Sequence, residues 1–405
     1  MRWVAPVVRG TELVRERKGL GSGPPLPVTI WMNMPSFYQN DLFRALAKMS
    51  EIDLEVIFAR RLAQDRTDLG WETNVDGFSS SYLSPLNPVG DACQRAVRQR
   101  RRIHIVNGVW GEMSFAAALT VLAAVRSRYA IYSEAPSPLD NRSMAKRLVR
   151  SAFGSVVARR ASGWFPVARL GAEFFRSIGA VWENIYPFGY FRSASLPPAT
   201  VMRPEADRRE VVYVGQVIER KGVDLLLDAM LPLFDRYPTL QLHLVGIGGM
   251  TGPLRATVAG TPAAEKVTFA GVVSSIDTPA VIARSDVLVL PSRWDGWGLV
   301  VNEALSQGVP VVVSTRCGAA DLVQDGVNGF VFKSEDVAGL RRSVAALLDD
   351  QGVLATCRAG AARSGRLLDT DVVAPYLVDC LRHMIGESGD RPVPPWLCRP
   401  ASVRQ

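Results

Sequence analysis

Histidine is scarce in this sequence, with three in 405 residues. The five cysteines, Cys93, Cys317, Cys357, Cys380 and Cys398, are odd in number and form no C-x-x-C pair. Those shortages argue against a Cys/His zinc site and against a disulfide framework. They fit a reducing, cytoplasmic setting. No apolar run reaches the 18 or so residues that span a bilayer. The opening stretch, MRWVAPVVRGTELVRERKG, is too charged for a secretory signal peptide.

The composition that remains is that of a folded protein, 48% hydrophobic and 21% charged. A chain of 405 residues suggests about two domains. The net charge of +8 is uneven: residues 1–205 hold 27 Lys/Arg against 17 Asp/Glu, and the remainder is slightly acidic. The basic excess sits in RAVRQRRR (Arg95–Arg102), AKRLVR (Ala145–Arg150) and Arg159-Arg160. Two readings stay open, a solvated surface or a face drawn to an anionic membrane. Nucleic acid fits poorly, because the basic runs carry few aromatic residues and no binding module is present.

Organisation follows from the alternation of short apolar runs with helical periods. Residues 1–26 read as a flexible leader. Residues 27–195 alternate strands (PVTIWMN, DLEVIFA, RRIHIVNG, RYAIYS) with helices. A proline-rich, aperiodic stretch, 196–209, reads as a linker. The alternation restarts over 210–370. A helix over 371–388 is expected to pack back toward the first domain, and 389–405 reads as a mobile tail. The expected fold is α/β, with two doubly wound Rossmann-like domains facing an interdomain cleft. In such sheets ligands bind beyond the carboxyl ends of the strands.

One stretch stands at such an end. WDGWGLVVNE (Trp294–Glu303) follows the strand-like DVLVLPS and leads into a helix beginning near Gly298 or Leu299. The first N–H groups of a helix lack partners within it. Gly296 and Gly298 let a ligand approach the backbone, and Glu303 leans back toward the helix start. Asp295, Glu303 and bare N–H groups suit a ligand bearing both hydroxyls and phosphate. The plainer alternative is that Asp295 caps the helix and Glu303 is solvated.

PSRWDGWGLVVNEALSQGVPVVVS resembles the signature of retaining glycosyltransferases of family 4, which have the GT-B fold. Its two acidic residues stand in the family's spacing, Asp295 where Glu is commonest and Glu303 at the second Glu. VVYVGQVIERKGVDLLLDAM (Val211–Met230) resembles the family's opening strand and phosphate loop, with Lys221 at the lysine position and Gln216 in place of the usual arginine. The likeness is strong over about 210–335 and weak in the first half, where GAEFFRSIGAVWENIYPFGYF resembles the segment closing the family's first domain.

The resemblance implies transfer of a hexose from a nucleotide-diphosphate sugar to a lipid-linked or oligosaccharide acceptor, in exopolysaccharide or lipopolysaccharide assembly. It implies Asp295, Glu303 and Lys221 as the central residues. Glu303 would take the ribose hydroxyls and Asp295 the transferred sugar. Trp297, Gly298, Leu299 and Val300 would offer backbone N–H groups beside Gly296. Lys221, with Gly215, Gln216 and Arg220, would hold the diphosphate. Neither a metal nor any other cofactor is implied.

In the first half, NMPSFYQND stands where many members have a Gly-Gly loop, and Asn107 near where many have His. Ser36, Gln39, Asn40, Asn107 and Glu134 are the acceptor-side candidates, with loop and cap bonding as their alternative role. Two other readings are a nucleotide-sugar epimerase or phosphorylase of the same fold, and a non-catalytic scaffold that binds glycan or lipid. GIGGMTG (Gly246–Gly252) is not a clean dinucleotide fingerprint.

Overall fold

The computed structural model describes residues 24–71, 74–107, 111–138, 159–193 and 208–397. Most of the expected leader and linker, and the Ala145–Arg150 run, lie outside the described residues. The chain divides into two compact units, one formed by 1–63, 73–191 and 370–405, the other by 64–72 and 192–369.

The first unit holds six parallel strands, β1 (Leu26–Met32), β2 (Ile52–Phe58), β3 (Ser80–Tyr82), β4 (Ile103–Asn107), β5 (Tyr129–Ser133) and β6 (Gly163–Pro166), in the order β3-β2-β1-β4-β5-β6. Every residue of β4, β5 and β6 is buried. Continuous burial rather than alternation is what a parallel sheet covered on both faces requires. Trp31, fully buried, donates its indole N–H to His104 Nδ1 at 3.1 Å, and His104 Nε2 lies 3.1 Å from the Gln99 carbonyl. The imidazole is therefore neutral with its proton on Nε2, and burial holds its pKa down to about 4.

The helix Phe37–Ala47 follows β1 and buries Leu42, Phe43, Ala45 and Leu46. It packs against the helix Thr370–Met384 of the same unit. Beyond that helix, part of the stretch expected as a mobile tail is ordered. Pro395–Leu397 form a helical turn, and Trp396 is buried with its ring 4.5 Å from Phe191 and 5.2 Å from Tyr376. Composition misled here, because one large aromatic side chain anchors an otherwise proline-rich segment.

The second unit repeats the plan with β7 (Arg209–Val214), β8 (Leu240–Val245), β9 (Val267–Gly271), β10 (Val287–Leu290), β11 (Val311–Ser314) and β12 (Gly329–Phe332), ordered β12-β11-β10-β7-β8-β9 and parallel throughout. The helix Val223–Arg236 packs eight residues inward, Leu226, Met230 and Leu233 among them at helical spacing. In both sheets the strand order reverses direction beside the first strand, next to β4 in one and β10 in the other. A crevice opens at the carboxyl ends of such a pair.

The unit boundaries differ from the expected 27–195 and 210–370. Arg192 and Ser193 fall in the second unit, and so does 64–72, where Gly70 O accepts the Ser275 N–H at 3.0 Å. Neither grouping has a periodic signature, because both depend on contacts far along the chain.

Candidate active site

The reversal point of the second sheet gathers the residues singled out after β7 and β10. Beyond β7 the chain turns through Gly215, whose N–H donates to Val245 O at 2.9 Å. The Tyr213 hydroxyl donates to the Gln216 carbonyl at 2.7 Å, fixing the loop from below. A helical turn, Glu219–Lys221, ends at Gly222 with φ +66, a left-handed conformation that launches the helix Val223–Arg236. A Cβ at Gly222 would collide with the Pro291 carbonyl, so the β7 loop lies directly on the end of β10.

Arg293 locks the two loops. It clasps Asp224 with both terminal nitrogens, at 2.8 and 2.6 Å, and donates to Glu219 O at 2.8 Å. Burial raises the Asp224 pKa, but the paired guanidinium outweighs it and holds the carboxyl below its ordinary value. One guanidinium nitrogen of Arg220, expected beside the diphosphate, donates to Trp294 O at 2.8 Å, while its own carbonyl accepts from the N–H groups of Arg293 and Trp294.

Lys221 and Asp295 form an ion pair, with side chains only 14% and 12% exposed. The Asp295 backbone is tied on both sides, its N–H to Arg316 O and its carbonyl to the Gly318 N–H, each at 3.0 Å. Trp297 is buried, with its indole N–H on Asn302 Oδ1 at 2.9 Å and its carbonyl on the Ala319 N–H at 2.7 Å. Gly298 has φ +94, and a Cβ there would lie 2.6 Å from Leu290 and 2.7 Å from Cys317 Sγ. Only glycine fits this turn. The helix then runs over Val300–Ser306 from an N-cap at Leu299.

Glu303, buried in that helix, is met by Arg192 at 2.5 Å. The same guanidinium nitrogen reaches Ser275 O at 3.1 Å. Burial pushes the Glu303 carboxyl up, and Arg192 pulls it back. Arg192 lies 111 residues from Glu303, and nothing in the sequence marked it.

In the first unit, the acceptor-side candidates lie at or beyond the carboxyl ends of β1, β4 and β5. Ser36 Oγ donates to Gln39 Oε1 at 2.5 Å. Asn40 Nδ2 donates to Asn74 O at 2.8 Å, a loop-holding bond. Glu134 accepts from the Tyr190 hydroxyl at 2.7 Å. Asn107, the last residue of β4, is buried opposite Tyr132 of β5. Sequence reasoning missed the tyrosines that join these groups. The Tyr190 ring is 5.0 Å from Tyr38 and 5.9 Å from Tyr132, and the Tyr132 hydroxyl donates to the Gly189 carbonyl at 2.8 Å. Burial raises the pKa of Tyr132 and Tyr190 well above the ordinary value, so both keep their protons and can donate. Tyr132 had a faint signal, as an aromatic residue ending an apolar strand.

A family model described as glycosyl transferases group 1 matches residues 202–364. A GDP-mannose-dependent alpha-(1-6)-phosphatidylinositol monomannoside mannosyltransferase of Mycolicibacterium smegmatis is 31% identical over 53% of this chain, and the match spans 64% of that protein. Its namesake in Mycobacterium tuberculosis is 30% identical over 71% of this chain and 79% of its own length. Among solved structures, Anabaena Alr3699/HepE in complex with UDP superposes with a TM-score of 0.72 at 17% identity, covering 88% of this chain and 100% of that one. That likeness and the paired sheets make the architecture the two-domain α/β GT-B fold. With a relative matched over most of its length and the family model lying on the very unit that holds Lys221, Asp295 and Glu303, the chain belongs to the glycosyl transferases group 1 family.

Proposed function

We propose that the protein is a retaining glycosyltransferase that moves a hexose from a nucleotide-diphosphate sugar to a lipid-linked or glycan acceptor. The observation that carries this reading is the placement of Lys221, Asp295 and Glu303 at the reversal point of one sheet, two carboxylates and a cation where a doubly wound sheet binds its ligand.

In this reading Glu303 receives the ribose hydroxyls and Asp295 receives hydroxyls of the transferred sugar. Lys221 moves from Asp295 toward the diphosphate. The backbone beyond Gly298 offers its N–H groups to the sugar and distal phosphate. As the bond from C1 to the phosphate oxygen breaks, negative charge grows on the diphosphate and the sugar becomes oxocarbenium-like. A preorganised cation and N–H groups stabilise the leaving group. The acceptor oxygen forms its bond to C1 on the same face, and its proton passes to the leaving phosphate oxygen. No side-chain base and no metal is needed.

The names of the relatives favour a lipid acceptor, since the two mannosyltransferases act on a phosphatidylinositol monomannoside. The donor base differs between them and HepE, GDP in one name and UDP in the other. The workplace consistent with this reading is the cytoplasmic face of a membrane, approached peripherally. No helix among the described residues is long and apolar enough to cross a membrane.

A thermal-shift panel of UDP-, GDP- and ADP-sugars, run on the parent and on Glu303→Ala, tests the donor site. A ligand bound only by the folded protein raises the midpoint. Stabilisation by one nucleotide class, lost in the variant, is the expected result; no shift with any donor at millimolar concentration overturns it. The anomeric configuration of the product, read by proton NMR, tests retention.

A further inference from the structure

The amino-terminal edge of the first sheet, opposite the end that carries Asn107 and Glu134, holds a cavity of about 650 Å³. Six arginines line it, Arg100, Arg101, Arg102, Arg126, Arg128 and Arg382, against one carboxylate, Glu387, with Pro24–Pro27 and Ile385 alongside. They come from separate parts of the chain. Arg100–Arg102 lead into β4, Arg126 and Arg128 form the turn into β5, and Arg382 is on the last long helix. Only folding brings them together.

Two of the six have protein partners. Arg102 is held by Asp53 Oδ2 at 2.5 Å, Thr29 Oγ1 at 2.9 Å and Val28 O at 2.9 Å. Arg382 has Glu51 at 3.6 Å and Glu387 at 3.4 Å. Arg100, Arg101, Arg126 and Arg128 are exposed and form no ion pair with any described residue. Four like charges converging on one concavity repel one another, and an anion relieves that repulsion.

Arg126 adds a second observation. It stands just past the helix Met113–Ala124 with φ +56, and the Ser127 N–H reaches back to Leu122 O at 2.9 Å. Such a helix end normally takes glycine. An arginine there costs about 1 kcal/mol or more of backbone strain. A guanidinium is thus placed at the cavity rim where the backbone alone would favour glycine.

We infer that this cavity is a binding site for a multiply charged phosphate group, supplied by a free polyphosphate or by clustered phospholipid headgroups. Guanidinium suits it, because its planar fork matches phosphate oxygens two at a time. The cavity is separate from the acceptor-side candidates of the same unit. From Ile103 to Asn107, β4 spans about 13 Å at roughly 3.3 Å per residue, so an anion here does not touch the groups at the carboxyl end of the sheet. The inference does not rest on the donor reading.

Two probes test it, inorganic pyrophosphate by calorimetry and phosphatidylglycerol vesicles by co-sedimentation, with phosphatidylcholine vesicles as the neutral reference. Calorimetry uses Lys221→Ala protein, so that the cation of the other site does not contribute. The test variant is Arg100→Gln/Arg101→Gln/Arg126→Asn/Arg128→Gln, with asparagine chosen because it tolerates left-handed backbone. The control removes equal charge elsewhere, through Arg98→Gln/Arg159→Gln/Arg284→Gln/Arg363→Gln, all exposed. The expected result is a loss of about tenfold or more in the test variant and little in the control. Loss of pyrophosphate alone assigns a free anion, and loss of vesicles alone assigns headgroups. Equal weakening in both variants, or no binding of either probe by the parent, overturns the inference. If the quadruple variant fails to fold by circular dichroism, the exposed single change Arg128→Glu replaces it.

Discussion

The Arg192–Glu303 pair makes a quantitative prediction about the second unit. Glu303 is buried and its partner's side chain is 17% exposed. Removing one member of such a pair leaves the other uncompensated, at a cost of about 3–5 kcal/mol. Arg192 retains the Ser275 carbonyl, so Glu303→Ala falls at the lower end, about 3 kcal/mol. For a unit of this size that lowers its melting transition by about 6–12 °C.

Arg192→Met behaves differently. It strands a carboxylate already pushed up by burial, and the carboxylate responds by taking a proton. A carboxyl whose folded pKa lies above its unfolded value loses stability as pH rises from the unfolded pKa toward the folded one. The deficit of Arg192→Met against the parent should therefore be smallest near pH 4, where what is lost is the Ser275 contact, and grow once pH passes the parent's own raised Glu303 pKa, by roughly 1.4 kcal/mol per pH unit, until the variant's folded pKa is reached. Urea unfolding at several pH values, followed by intrinsic fluorescence, measures this. A deficit of Arg192→Met that stays constant from pH 4 to 8, or two variants as stable as the parent, would refute the pairing.

Three further outcomes follow from single positions. Gly222→Ala must either leave its left-handed backbone or strike the Pro291 carbonyl, so it should cost about 1–3 kcal/mol in chemical unfolding and weaken donor binding, whereas Gly249→Ala, with open space around it, should do neither. His104 is buried neutral with its pKa near 4. Stability should fall as pH drops from about 6.5 to 4, because only the unfolded chain takes the proton, by about 3 kcal/mol in all, and His104→Gln should flatten that slope. Trp396→Ala should cost about 3 kcal/mol and raise proteolysis of the C-terminal segment; unchanged digestion would mean the Phe191–Tyr376–Trp396 cluster contributes little.

The candidate site after β10 was visible as a cluster before the fold was known, because its parts are local. WDGWGLVVNE carries its glycines, its acidic pair and its helix start within ten residues, and the apolar run before it marks the strand end. The alternation of buried runs with helical periods likewise announced two parallel α/β halves, since burial on both faces leaves its mark in each strand separately. What the sequence could not order was anything joined across long separations. Arg192 meets Glu303, Gly70 meets Ser275, and Tyr190 meets Glu134 only after the sheets have formed. The bond from Arg220 to the Trp294 carbonyl likewise joins residues far apart in the chain. The basic run at Arg95–Arg102 had two readings as a string of charges. Tertiary structure separates its members, tying Arg95 to Asp91 and Arg102 to Asp53 and leaving Arg100 and Arg101 beside Arg126 and Arg128. Local periodicity is written by the backbone's own repeat and survives in the sequence. The pairing of distant charges is decided by which loops share an end of a sheet, and that is known only once the strand order is set.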